Sequence, residues 1–158
     1  MKIYLLEAEM LVPASVRDTF EFFQDPANLA RVTPPEIGFR ILTPGRIEMR
    51  KGLEIDYEIR LAGIPVSWTS VITEFEPPFF FVDEQVRGPY RYWRHHHSFR
   101  PNEGGTVIGD RVEYALPFGW LGRIAHWIAV RRQLQQIFDY RRSVLADVMR
   151  TATQTART

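Results

Sequence analysis

Leu53, Ile55, Tyr57, Ile59 and Leu61 alternate with Glu54, Asp56, Glu58 and Arg60, the cleanest two-residue period in the chain. Successive side chains of a strand point to opposite faces, so the stretch predicts an antiparallel strand with one dry and one wet face. Arg91 to Arg100 alternates differently. Trp93, His95, His97 and Phe99 share one side, and Tyr92, Arg94, His96 and Ser98 the other. An aromatic face that also carries two imidazoles suits the wall of a partly polar cavity better than it suits plain core or plain surface. Other strands are predicted over Lys2 to Leu11, with Ile3 and Leu5 in one phase and a change of phase near Ala8 to Met10, and over Phe39 to Leu42 and Phe79 to Val86. Thr106 to Leu116 places Ile108, Asp110, Val112 and Tyr114 together. In Val66 to Phe75 both phases are apolar, Trp68 and Ile72 against Val71 and Phe75, so the pattern does not assign its faces. Proline and glycine punctuate these strands at Pro44-Gly45, Gly63-Ile64-Pro65, Gly88-Pro89 and Asn102-Glu103-Gly104-Gly105.

Helical spacing occurs in three places. Ser15 is placed to cap a helix over Val16 to Phe23, with Val16, Phe20 and Phe23 on one face. Pro26 suits the first position of a second short helix that reaches Val32, and Pro34-Pro35 stops it. Leu121 to Met149 carries the stripe Ile124, Trp127, Ile128, Leu134, Phe138, Leu145 and Val148, which predicts one long amphipathic helix. Thr151 to Thr158 is small and polar and is expected to fray. The order of elements predicts an α+β helix-grip fold, in which a curved antiparallel sheet wraps around a long C-terminal helix and two short helices follow the first strand. One domain is expected over residues 1–150, with no repeat and no second domain.

Composition changes this picture little. The chain has 158 residues, 45% hydrophobic and 25% charged, with 20 basic against 19 acidic side chains. A net charge of +1 gives no bulk electrostatic case for nucleic acid. The absence of cysteine excludes disulfides and thiolate chemistry and fits a reducing compartment. Acidic residues near the start argue against a signal peptide, and no apolar run is long enough to span a membrane. A cytoplasmic location and no membrane insertion are the expectations. An aromatic content of 13% supplies stiff surfaces that line a pocket as readily as they fill a core.

Three segments carry a resemblance. Leu11-Val12-Pro13-Ala14-Ser15-Val16, Asp25-Pro26-Ala27-Asn28-Leu29 and the run from Phe81 to Tyr90, taken with the order of elements, resemble the bacterial ligand-binding branch of the SRPBCC superfamily. That superfamily contains START-like domains, the birch pollen allergen and polyketide cyclases. The resemblance covers roughly residues 1–150 and implies a helix-grip fold around a hydrophobic small-molecule cavity. It implies no particular reaction.

With Trp93 and Phe99 inward, His95 and His97 face the cavity. If Phe81 is also inward, Asp83 and Gln85 join them, as do Asp110 and Tyr114 from the last strand and Tyr57 from the alternating one. Buried polar groups need partners, so a His–Asp cluster is expected. It has three readings: a self-satisfied structural network, the polar anchor of a ligand packed on Trp68, Trp93 and Phe99, or a catalytic or metal site. Neither a complete metal motif nor its helical counterpart is present, so no metal and no cofactor are expected. His96 faces outward, and His126 lies on the flank of the long helix. Arg131 falls in that helix's apolar stripe, where it either snorkels to solvent or enters the cavity to pair with Asp83, Asp110 or a ligand carboxylate. Arg123, Arg132, Arg141, Arg142 and Arg150 are expected on a solvated face.

The function expected is non-covalent binding of a small hydrophobic molecule, as carrier, sensor or sequestering protein. The ligand-binding candidates are Tyr57, Trp68, Asp83, Gln85, Trp93, His95, His97, Phe99, Asp110, Tyr114 and Arg131. A cyclase-, aromatase- or hydrolase-like enzyme with His95 or His97 as general base is the alternative, and an interaction module without a ligand is a further one.

Overall fold

The computed structural model describes residues 1–61, 63–117, 119, 124 and 129–155, with residues 151–155 described by their backbone alone. Strand β1 (Tyr4–Val12) leads into helix α1 (Val16–Phe23), where the Ser15 hydroxyl accepts from the Asp18 N–H at 3.0 Å and satisfies one free donor of the first turn. Asp25 caps a 3-10 helix (Pro26–Val32) in the same way, accepting from the Ala27 N–H at 3.0 Å. A further 3-10 turn covers Pro35–Ile37. Strands β2 (Arg40–Ile41), β3 (Glu54–Leu61), β4 (Ile64–Glu76), β5 (Phe80–Arg87), β6 (Tyr92–Asn102) and β7 (Gly105–Ala115) follow, and helix α2 (Arg131–Thr155) comes last.

The strands form one antiparallel seven-stranded sheet in the order β1-β7-β6-β5-β4-β3-β2. Closure of β1 onto β7 places the first and last strands side by side and leaves β5 and β6 near the centre, where the sheet faces the helices. The β6–β7 turn needs glycine, because Gly105 has φ +134° and a Cβ there would lie 2.1 Å from the Val12 carbonyl.

Two expectations are corrected. β1 shows no change of phase: Tyr4, Leu6, Ala8, Met10 and Val12 all turn inward, while Ile3, Leu5 and Leu11 are exposed. Helix α2 runs on through Thr155 instead of ending at Met149. The expected start of that helix, with Arg123, His126, Trp127 and Ile128, lies outside the described residues.

Strand β4 explains its own ambiguous pattern. Its register against β5 pairs Ile72 with Asp83 but Glu74 with Val82, which leaves Thr73 as an extra residue. Such a bulge reverses the alternation. Trp68, Ser70 and Ile72 are therefore buried on the inner face ahead of it, and after it Phe75 also reaches the core, against Phe20.

The interior has two apolar clusters. One gathers Phe20, Phe23, Phe81, Phe99, Leu145 and Met149; the other gathers Trp68, Tyr90, Val112, Tyr114, Leu134 and Phe138. Helix α2 contributes to both, through residues spaced three or four apart on one stripe. Arg141 occupies that stripe between Phe138 and Leu145. Among the described residues, no helix is long and apolar enough to cross a membrane.

Candidate functional site

Between the two apolar clusters the inner face of the sheet is polar. The ladders place Asp83 opposite His95 and His97 opposite Asp110, so alternation on three adjacent strands brings four titratable groups to one patch. His95 is 7% exposed, His97 5% and Asp110 5%, which excludes bulk solvent as their partner. His96 points outward and stacks on Phe80 at 5.2 Å.

The two imidazoles lie against each other with centroids 3.6 Å apart, and each spans the gap between the same two carboxylates in the opposite sense. His95 sets Nε2 at 2.8 Å from Asp110 Oδ1 and Nδ1 at 3.9 Å from Asp83 Oδ2. His97 sets Nε2 at 2.9 Å from Asp83 Oδ2 and Nδ1 at 3.4 Å from Asp110 Oδ1, the latter without hydrogen-bond geometry. Phe81 stacks on His97 at 4.3 Å. From α2, Arg141, itself 5% exposed, donates to Asp110 Oδ1 at 3.2 Å.

Burial alone would raise the pKa of Asp110, but the Arg141 charge, followed by the bond from His95 and the close approach of His97, holds it well below the usual carboxylate range. Asp83 is lowered as well, because the bond from His97 and the fields of both histidines outweigh its burial. The histidines divide. Burial, then His97, pushes His95 down despite its bond to Asp110, whereas the two carboxylates overcome the burial of His97 and hold it above the ordinary histidine value. Arg141 and the raised basicity of His97 offset the charge of the two carboxylates.

Two cavities flank it, of about 80 Å³ and about 140 Å³. Leu29, Phe39, Tyr57, Asp83 and His97 belong to the walls of both, so the cavities are lobes on either side of a polar waist. The smaller lobe is otherwise closed mainly by Phe22, Phe23, Ile55 and Ile72; the larger by Trp68, Trp93, Leu134 and Phe138. At the waist the Tyr57 hydroxyl meets Ser70 Oγ at 3.2 Å, Trp68 Nε1 donates to Ser70 Oγ at 3.0 Å, and Ser70 Oγ reaches Asp83 Oδ1 at 3.4 Å. Burial, with the Asp83 charge adding to it, raises the Tyr57 pKa well above the ordinary value, so its hydroxyl stays protonated.

The structure brings Tyr57, Trp68, Asp83, Trp93, His95 and His97 to the lobe walls. Asp110 stands behind the histidines. Phe99 lies in the first apolar cluster against Phe20 and Phe23, and Tyr114 lies in the second. Gln85 is occupied with the β5–β6 turn: its Nε2 donates to the Tyr90 carbonyl at 2.6 Å and its Oε1 accepts from the Tyr90 N–H at 3.1 Å. Gly88 leaves room for that clamp, since a Cβ there would lie 2.4 Å from Gln85 Oε1. Arg131 is exposed and is not brought to the cluster. Arg141, expected on the solvated face, is corrected to an interior position. The signal for it was in the chain, because Arg141 is seven residues beyond Leu134 and four before Leu145 on the same stripe. Ser70 carried no such signal, since it lies in the strand whose faces the pattern left open.

The family described as "Polyketide cyclase / dehydrase and lipid transport" matches residues 12–138, and the chain belongs to it. No curated protein matches the chain. Solved structures of the same architecture include a protein from Arthrobacter aurescens (TM-score 0.67, 15% identity, 92% of this chain and 86% of that one). Protein Ms6760 from Mycobacterium smegmatis is similar over 92% of each chain, with TM-score 0.65 and 16% identity. Norcoclaurine synthase from Thalictrum flavum, in complex with dopamine and hydroxybenzaldehyde, is similar over 92% of this chain and 88% of its own, with TM-score 0.63 and 15% identity. At these identities the likeness is one of fold.

Proposed function

We propose that this member of the family binds, without covalent attachment, a small apolar molecule that carries one neutral hydrogen-bond donor, with the donor seated on Asp83 between the two lobes. The observation that carries the reading is the shared waist. Asp83, His97 and Tyr57 belong to both lobes, whose remaining walls are mainly apolar, with Asn28 and Ser70 in the smaller lobe and Thr33, His95, Gln133 and Arg141 in the larger. A few convergent polar groups in an apolar enclosure fix the orientation of a ligand while its body supplies the affinity. Among the described residues Asp83 Oδ1 has a single long bond, from Ser70 at 3.4 Å, which leaves acceptor capacity beside the cavity. A donor to that charged oxygen is worth about 1.5–3 kcal/mol, whereas a ligand carboxylate seated there would meet Asp83 as a like charge. Neutral alcohols and phenols fit best. Unfilled volume beside the waist favours this reading over that of an interaction module.

The test is native mass spectrometry of untagged protein taken directly from cells, followed by organic extraction of whatever it carries. The expected result is a non-covalent adduct that releases a neutral, hydroxyl-bearing apolar molecule. Retention of only carboxylates, or no adduct together with no saturable uptake of neutral aryl alcohols, would defeat the proposal.

One observation favours a catalytic version. His95 is held by Asp110, and burial with the neighbouring His97 keeps it unprotonated, the state a general base needs near neutral pH. Recovery of the bound molecule chemically unchanged after prolonged incubation with the protein speaks against that version, and conversion that stops in His95→Gln supports it.

A further inference from the structure

The donor geometry points to a divalent transition-metal site: we propose that Asp83, His95 and His97 bind a zinc-type ion, with Asp110 as the shared carboxylate behind both imidazoles. This departs from the expectation drawn from the sequence, which had no complete metal motif to read. The three residues each offer one ligand atom, and these atoms all lie within 4.8 Å of one another. Around a tetrahedral ion with donors about 2.0–2.1 Å away, donor atoms stand about 3.3 Å apart, so small side-chain rotations would close the set.

The opposite ends of the rings carry the argument further. A histidine that ligates a metal through one nitrogen characteristically donates the other N–H to a carboxylate, which fixes its tautomer and raises its basicity. Here both rings turn one nitrogen to Asp83, at 2.9 Å for His97 Nε2 and 3.9 Å for His95 Nδ1. Both turn the other to Asp110, at 2.8 Å for His95 Nε2 and 3.4 Å for His97 Nδ1. His97 Nδ1 is buried and has no hydrogen-bond partner among the described residues. With an ion on Nε2, the proton resides on Nδ1, facing Asp110. Arg141 compensates the charge of Asp110, so with neutral imidazoles the five groups sum to one negative charge and Asp83 is left to meet the cation. A two-histidine, one-carboxylate set leaves a coordination position open, the arrangement of reactive rather than purely structural sites. Asp83 and His97 line both lobes, so that position faces the cavity.

The experiment uses untagged, chelator-stripped full-length protein without added ligand. Zinc is titrated calorimetrically, cobalt is added for its visible spectrum, and long-range proton–nitrogen NMR follows the imidazole nitrogens. One ion per chain is expected, with cobalt bands of low coordination number and zinc shifts at His95 Nδ1 and His97 Nε2. Asp83→Asn should weaken zinc by at least the roughly 10–100-fold that loss of an outer carboxylate costs, and His96→Ala should leave it unchanged. Absence of a stoichiometric ion, zinc shifts confined to His96 or His126, or undiminished binding by a folded Asp83→Asn would overturn the site. The spectra of the wild-type protein decide the matter even if a variant fails to fold. The ligand reading is tested in chelator and does not depend on the outcome.

Discussion

Two arginines ten positions apart on one helix show what decides the fate of a charge. Arg131 is exposed, while Arg141 is buried against Asp110 at 3.2 Å and lies over the Phe138 ring at 5.2 Å. Replacing Arg141 with leucine strands the Asp110 carboxylate and should cost about 3–5 kcal/mol by urea unfolding. Arg131→Leu should fall within about 0.5 kcal/mol of the wild type, and an equal loss in both variants would contradict the placement. The histidine alternation was legible because period two on a strand leaves no freedom once Trp93 and Phe99 are inward. Arg141 was harder to read: periodicity marks a position, but an arginine's long stem allows either face, and only a partner fixed on another strand selects the interior. Tyrosines test burial independently. Burial, with Tyr4 adding to it, pushes Tyr114 up to about 12, and Tyr57 is raised still more clearly by burial and Asp83. A group raised on folding contributes stability that is complete below its unfolded pKa of about 10 and is lost as pH climbs past it. Alkaline difference absorbance should therefore show these two phenols ionising only above that value, with unfolding following. Ionisation of all six tyrosines together near their ordinary value in still-folded protein would contradict it.

At the level of elements, strand β4 shows why a pattern can fail without being noise. Trp68 and Ile72 share a phase that is interrupted by the extra residue Thr73, after which Phe75 takes the inward role. A bulge adds one residue to one strand only, and nothing in a single sequence marks where the partner strand stays regular. Deleting Thr73 restores strict alternation with Phe75 still inward against Phe20 and Glu74 still on the outer face, where it pairs with Arg94 at 2.7 Å. The expected loss is well below that of a core phenylalanine truncation, roughly 3–5 kcal/mol, measured by chemical denaturation. A loss of that full size would show that Thr73 is not a simple extra residue in this strand. β3 and β6 needed no such correction, because each keeps one register along its whole length.

For the whole molecule, the order of strands and helices was sufficient to predict a sheet gripping a helix, since a strongly twisted antiparallel sheet has few other ways to cover its inner face. The lobes themselves were not legible. Their existence depends on how far Leu134 and Phe138 of α2, Leu29 of the 3-10 helix and Phe39 penetrate between the strands, which is a matter of packing and not of pattern. What they leave is apolar space divided by Tyr57, Asp83 and His97, the place proposed for a neutral donor. The most direct measurement is a calorimetric titration of naphthol, in chelator, against the wild-type protein and a folded Asp83→Asn variant. Saturable binding of one molecule per chain, weakened about tenfold or more by the substitution, is the predicted result. No saturable binding, or equal affinity in both proteins, would contradict it.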